Sequence, residues 1–483
     1  MSFLIHRISK IPFPIYISFY KTVFITALFT IIQQSYAQIK SPEAAIGTGI
    51  IVSKGDHSPF WFSGNKFGYI SDKPISTWIR PQLKTEINWN KRYDYSYGLD
   101  IWGRYDKQGK IFLQQGWIKT KILFLTVYGG RAEEFIGNQD STLTSGGLIW
   151  SGNAPPMPKI SINVEQWTPI PFTKDFMDFK GGISHGWFGD QAYVTDAYLH
   201  YKYLYVRFGG ELPVHIQYGF HHIAQWGGIS QSKGKAPNDF GAYFDVFFAR
   251  RTQTEYLPDG QPIANTLGNH IGSRNFGLNI ELKKIQINTY WQTLFEDGSG
   301  KAWRNFKDGL WGFTVKEKEK SIISGILYEF LHTTDQSGRF NWDPVTQKEY
   351  GGNDNYFNHG FYRFGWTYNN LTLGTPLITS PVYISGSSSD YVRNNRIIAH
   401  HIGLEGYKNR ISYRLFYTYS LNFGTNNSPF DPVKHQHSLI FSTSYSEILP
   451  CKIDLGINLG IDLGKMYGNN YGIEIMLKKN LFD

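Results

Sequence analysis

The run 411–423, ISYRLFYTYSLNF, restricts what this chain can become more than any other stretch. Ile411, Tyr413, Leu415, Tyr417, Tyr419, Leu421 and Phe423 take the odd positions. Ser412, Arg414, Thr418, Ser420 and Asn422 take the even ones, with Phe416 the exception. Side chains alternate across a strand with period two, so the run has one apolar face and one wet face. It is longer than an average globular strand, and crossing a bilayer at a tilt takes about 9–11 residues. The run 452–464, KIDLGINLGIDLG, repeats the design with Ile453, Leu455, Ile457, Leu459, Ile461 and Leu463 on one side. Alternation alone fits a soluble sandwich as well as a barrel, so the rest of the chain must decide.

Alternating segments recur in pairs joined by short charged turns. The expected pairs are 83–89 with 93–102, 111–120 with 123–128, 197–201 with 204–208 around Lys202, and 278–282 with 285–291. They continue with 311–315 and 322–330, with 363–368 and 371–374 across Asn369-Asn370, and with 400–406 and 411–423. Between the pairs lie longer stretches rich in Gly, Asn, Asp, Ser, Trp and Pro: 132–159, 209–240, 252–274, 331–359, 379–395 and 424–434. Short turns at one end and long loops at the other are the asymmetry of an outer-membrane barrel. The residue supply predicts an all-β, transmembrane antiparallel barrel of about 18 strands with long extracellular loops. The final alternating run, 471–482, fits a closing strand.

Composition agrees and excludes other classes. Tyr (32), Phe (35), Trp (14) and Gly (50) are abundant while 41% of residues are hydrophobic, which favours an aromatic-rich β protein. Residues 1–37 read as a signal peptide: an apolar core at 22–32 too short to span, then Ser35-Tyr36-Ala37 as a cleavage site. The mature barrel then covers 38–483, with 38–81 as an N-terminal segment and partial periplasmic plug. Loss of Arg7, Lys10 and Lys21 takes the formal charge from +9 to +6. That mild excess suits lipopolysaccharide or an acidic glycan, while scattered Lys and Arg argue against nucleic acid. The single cysteine, Cys451, excludes an internal disulfide and a cysteine-only metal site.

Several loop motifs then add up. PFWF at 59–62, with Asn65 and Gly68, is followed by LIWSGNAPPMP at 148–158 and YGFHHIAQWGG at 218–228. GGNDNYFNHG at 351–360 leads to Gly365-Trp366 and to GTPL at 374–377. The set resembles the capsule assembly Wzi family. The resemblance implies an 18-stranded outer-membrane barrel, its lumen closed by long extracellular loops and a periplasmic helical element, that holds exported capsular polysaccharide in a lectin-like way. One departure stands out, since 46–53 reads as a strand rather than a helix.

Candidate glycan contacts are Trp150, Asn153, His222, Trp226, Asn353 and Asp354. An indole face can stack on a sugar ring, and neighbouring glycines let the sugar approach; the bland alternative is that Trp150 and Trp226 pack a loop plug. His221-His222 cannot chelate one ion if extended, because adjacent residues face opposite sides, and His400-His401 fails the same test. The 351–359 stretch offers amides to calcium or sugar but lacks the acidic spacing of a calcium loop, so a tight turn folded into the lumen competes with both. Glu133, Glu134, Glu165 and Asp190 are carboxylates that a wet barrel carries anyway. The expectation is a non-catalytic, cofactor-free and metal-free monomer in the outer membrane of a Gram-negative bacterium. Its partners would be capsular or other surface polysaccharide, outer-membrane lipid and lipopolysaccharide, with no nucleic acid. A porin-like or substrate-specific channel is the alternative.

Overall fold

The computed structural model of the chain describes residues 41–256, 262–296, 303–338, 341–343, 348–350, 354–384, 390–449 and 452–482. The expected signal peptide, Asn353 and Cys451 lie outside the described residues. Eighteen antiparallel strands close into one barrel. The first six are β1 (Glu43–Lys54), β2 (Ile75–Lys84), β3 (Tyr93–Tyr105), β4 (Gly109–Ile122), β5 (Leu125–Arg131) and β6 (Lys159–Pro169). Next come β7 (Met177–Gln191), β8 (Val194–Phe208), β9 (Val214–Ser230), β10 (Asn269–Glu281), β11 (Ile285–Gln292) and β12 (Gly309–Glu317). The last six are β13 (Gly325–His332), β14 (Ile397–Lys408), β15 (Ile411–Gly424), β16 (Pro429–Leu449), β17 (Ile453–Gly464) and β18 (Asn470–Asn480). Each strand pairs with its sequence neighbours, and β18 returns to β1 from Ala45↔Asn480 to Lys54↔Tyr471. Closure removes the open edge that lipid could not satisfy.

Turns at the end that carries the chain termini are short, such as 123–124, 282–284 and 409–410. The long connections 55–74, 132–158, 231–268, 293–308 and 333–396 all leave the opposite end. On β15 the odd residues face outward and the even ones, from Phe416 to Asn422, are buried inside, as the alternation requires. Phe416 breaks the polar rule because Trp61 packs edge-on against it inside the lumen, at a 5.4 Å centroid distance. The outer wall is apolar, with Ile50, Ile79, Ile118, Leu204, Ile216 and Ile475 exposed. One register level carries Phe276, Trp291, Trp311, Phe330, His400, Tyr419 and His437 on seven consecutive strands. Successive rings from Phe276 to His400 lie 5.4, 6.0, 5.7 and 5.1 Å apart, forming an interfacial aromatic girdle.

The wall departs from expectation in several places. Val194–Phe208 is one strand, not a hairpin around Lys202. Lys202 sits on the outer wall, where its ammonium donates to the Phe247 carbonyl and lies 4.1 Å from the Phe247 ring centroid. Phe247 belongs to a helix, α2 (Phe240–Phe248), folded back against the outside of the barrel. A charge facing lipid at mid-strand is costly, and the helix supplies its partner. The 209–240 stretch, expected as a loop, holds β9, because α2 covers one of its faces and loop segments cover the other. The 252–274 and 424–434 stretches likewise contain the starts of β10 and β16. The pair around Asn369-Asn370 is a two-residue ladder, Thr367–Tyr368 with Leu371–Thr372, packed inside the barrel rather than in its wall. Its two asparagines take φ of 51° and 63°, the left-handed pair that such a turn demands.

Candidate functional site

Three of the long segments enter the barrel and fill the half nearest their own end. The first, 55–74, carries α1 (Phe60–Ser63), a single turn whose Phe60, Trp61 and Phe62 are all buried. Burying an aromatic such as Phe60 or Phe62 contributes about 1.5–3 kcal/mol. The turn is fixed to the wall at both ends: the Phe60 amide donates to Asp462 Oδ2 (2.8 Å) and the Trp61 indole to Thr418 Oγ1 (3.1 Å). The second segment, 132–158, is held by Glu329 of β13. That carboxylate accepts from Thr144 Oγ1 (2.6 Å), the Ser145 amide (2.7 Å) and the Tyr290 hydroxyl. Gln292 Oε1 receives the Leu148 amide (2.8 Å), and His401 Nε2 bonds the Leu143 carbonyl (2.9 Å). From the third segment, 333–396, Gly365 accepts from Gln225 (2.7 Å) and Tyr362 donates to the Gly227 carbonyl (3.0 Å). Leu143, Leu148, Phe357, Phe364, Trp366 and Ile378 join these segments into one apolar cluster with strand residues Leu199, Ile223, Ile271 and Leu310.

The six glycan candidates are scattered through this architecture. Trp150 packs in the plug, 4.9 Å from the Tyr201 ring, with the Lys159 ammonium 5.1 Å from its centroid. Asn153 is buried, its amide donating to the Thr372 carbonyl, Thr372 Oγ1 and Ser380 Oγ at 2.9–3.1 Å, which ties the second segment to the third. Asp354 is buried and accepts from Ser337 Oγ (2.7 Å). His222 and Trp226 lie on the outer wall, His222 against His200 and His270 and Trp226 under α2 against Tyr243, both facing away from the lumen. His222 shares a 2.8 Å hydrogen bond with His270, while His221 faces inward between the hydroxyls of Tyr201 and Tyr205. His400 likewise faces out to Tyr328 and His401 in to Thr418, so neither His pair shares a face. Among the described residues no group of His, Cys, Asp and Glu is arranged to hold a metal ion. His359 stays neutral in its loop, since burial lowers it to about 4 and its Nδ1 accepts the Phe361 and Tyr362 amides.

Exposed recognition chemistry lies instead at the loop-end rim. Tyr193, in the turn between β7 and β8, holds φ at 74°, a left-handed conformation costly for an aromatic residue. The Arg363 guanidinium carbon stands 4.5 Å from its ring centroid, and Tyr391 meets it edge-on at 5.8 Å. The Tyr391 hydroxyl donates to Asn370 Oδ1, and the Asn369 amide to Gln191 Oε1 (3.1 Å). Arg363, Asn369 and Asn370 are exposed, and Arg363 forms no ion pair with a described residue. Stacking rings, amides and an uncommitted guanidinium are the groups that recognise an acidic sugar. No local motif announced this patch, because its residues come from three distant stretches; only the Asn-Asn turn was visible.

A closed 18-stranded barrel with an apolar wall and a lumen filled by its own connections is an outer-membrane β-barrel of the plugged kind. The profile of the family described as capsule assembly protein Wzi matches residues 65–379, and the chain belongs to that family. Among solved structures it is similar to Escherichia coli Wzi, described as an outer membrane protein involved in group 1 capsule assembly and as a carbohydrate-binding β-barrel. The TM-score is 0.58 at 13% identity, over 90% of this chain and 83% of that one. Pseudomonas aeruginosa OccD3 superposes with a TM-score of 0.46 at 9% identity, over 92% of this chain and 93% of that chain. Against proteins of curated function the sequence finds no match.

Proposed function

We propose that this protein binds capsular or other surface polysaccharide at the cell surface and holds it there without changing it chemically. It does so as a monomer surrounded by outer-membrane lipid and lipopolysaccharide. The observation that carries the reading is the plug that fills the loop-end half of the lumen. Side chains such as Trp366, Phe357, Leu199 and Ile223 meet there with almost no exposure, which leaves the rim rather than a pore as the working surface. The rim group of Tyr193, Arg363, Asn370 and Tyr391 supports contact with acidic sugars. Membership of a capsule assembly family supports the same reading.

The test has two arms. In planar bilayers the protein should conduct no ions, and on immobilised capsular polysaccharide it should be retained, with Tyr193→Ala plus Arg363→Ala lowering retention at least tenfold. In cells, removing the gene should move polysaccharide from the attached to the shed fraction. Steady porin-like conductance, or unchanged attachment, would overturn the proposal.

A further inference from the structure

The other half of the lumen, toward the chain termini, is hollow. A cavity of about 420 Å³ lies below α1, within the range of small-ligand sites, and reaches the rim at Tyr407 and Ser412 beside the 409–410 turn. A second space of about 200 Å³ continues past Lys66 toward Trp61 and Asn65. On one side the wall is aromatic: Trp78 lies on the backbone of Gly49, and Trp102 is sandwiched between Trp78 (4.8 Å) and Tyr69 (4.4 Å). Ser442, Ser444 and Asn458 also line it.

The charges here are unevenly matched. Arg80 is committed to Asp100, with Glu133 3.4 Å away. Glu474 accepts from the Trp78 indole (3.1 Å) and from Asn458 (2.7 Å), and Glu405 is paired with Lys316 (2.9 Å). Lys66 and Arg414 both line the two cavities, and neither forms an ion pair within 4 Å with a described residue. Arg414 donates only to the Thr142 carbonyl (3.0 Å), and it stands close enough to Lys66 to disfavour that ammonium's charge. Glu133, Glu405 and Glu474 also line the space, but none is in contact with either cation. Two cations left without a contacting carboxylate form an arrangement that an anion between them stabilises.

We infer that this vestibule is a second saccharide site, which takes one anionic sugar unit with its acidic group between Lys66 and Arg414 and its ring against the Trp78–Tyr69 wall. The inference rests on the polysaccharide-binding reading and adds to it a site on the terminal side of the plug, separate from the rim. A uronate and a phosphorylated sugar share this chemistry.

Full-length protein in detergent micelles is titrated with trigalacturonate, glucose 6-phosphate and neutral maltotriose. Trigalacturonate should bind at least tenfold more tightly than maltotriose. Lys66→Gln should lower its affinity at least tenfold and Lys66→Arg should restore most of it, with the same ratios in the Tyr193→Ala plus Arg363→Ala background, which removes the rim's own contribution. Tighter binding of glucose 6-phosphate than of trigalacturonate assigns the site to phosphorylated sugars, and the reverse assigns it to uronates. Equal affinity in wild type and Lys66→Gln, with the barrel intact by heat-modifiable migration, would overturn the inference, as would no binding of either anion. A protein that keeps polysaccharide retention while Lys66→Gln changes nothing loses only the vestibule; one that retains no polysaccharide loses the proposed function itself.

Discussion

The two halves of the barrel lumen share strands yet differ in chemistry. Toward the loop end, inward-facing residues are Leu199, Ile223, Ile271, Leu310, Leu331 and Ile397, all buried against the plug. Toward the termini the same faces carry Arg207, Gln217, Asn275, Thr314 and Glu405, and on other strands Arg80, Arg414 and Asn458 border open space. A lumen-facing position is therefore not polar by rule: it is polar where water reaches it and apolar where a segment of the chain covers it. The outer wall shows the converse. Where His185, His200, His222 and Lys202 point outward, α2 lies over it, with Tyr243 against His185 and His200 and Phe247 against His200 and Lys202. In both places the break in the alternation marks a cover.

Removing what holds a cover should expose the difference. The largest effect is expected from Glu329→Leu. It leaves the Ser145 amide and the Thr144 and Tyr290 hydroxyls without their acceptor, at about 1–3 kcal/mol for each buried group left unsatisfied. Hydrogen exchange across 141–149 should accelerate by more than tenfold while the strand amides at the terminal end hold. Uniform exchange across both halves would mean that plug and wall are one cooperative unit. A smaller effect is expected outside the barrel. Asp239 caps α2 by accepting the Ala242 amide (2.9 Å), so Asp239→Ala should cost the helix about 1 kcal/mol. Exchange in 240–248 should rise several-fold with no change inside the lumen.

The barrel was legible in the sequence wherever one strand face met lipid and the other met water, as in β15, β17 and β18. It was not legible in β8 and β9. There Lys202 looked like a turn residue and YGFHHIAQWGG like a loop, because covers on both faces removed the contrast on which alternation depends. The opposite orientation of His221 and His222 followed from strand geometry alone and holds in the structure. The rim was out of reach, since Tyr193, Arg363 and Tyr391 meet only when 333–396 folds back over the β7–β8 turn. Asn153 and Asp354 had the chemistry of sugar contacts, yet their hydrogen bonds join one plug segment to another or close a loop on itself.

The finest test of the contrast between the halves is proton linkage at Lys66, which belongs to the plug but faces the vestibule. Burial, and then the nearby Arg414, lower its ammonium from 10.5 to about 8, while Glu474 and Glu133 oppose the shift. Tyr69, Arg80, Glu405, Tyr407 and Tyr413 also line this cavity, and burial holds Tyr69 protonated well above its ordinary value. A lysine whose folded pKa lies below its unfolded one binds fewer protons in the native state between about pH 8 and 10.5. Its contribution to stability therefore grows as pH rises through that window. Anion binding runs the other way, because it needs the charged form. From pH 7 to pH 8 the protonated fraction falls to about half, so trigalacturonate affinity should drop roughly twofold and continue falling above pH 8. In Lys66→Arg, charged throughout, that slope should vanish. If it persists there, the titrating group is not Lys66, and the hollow half would have to recognise its ligand through its hydroxyls and rings alone.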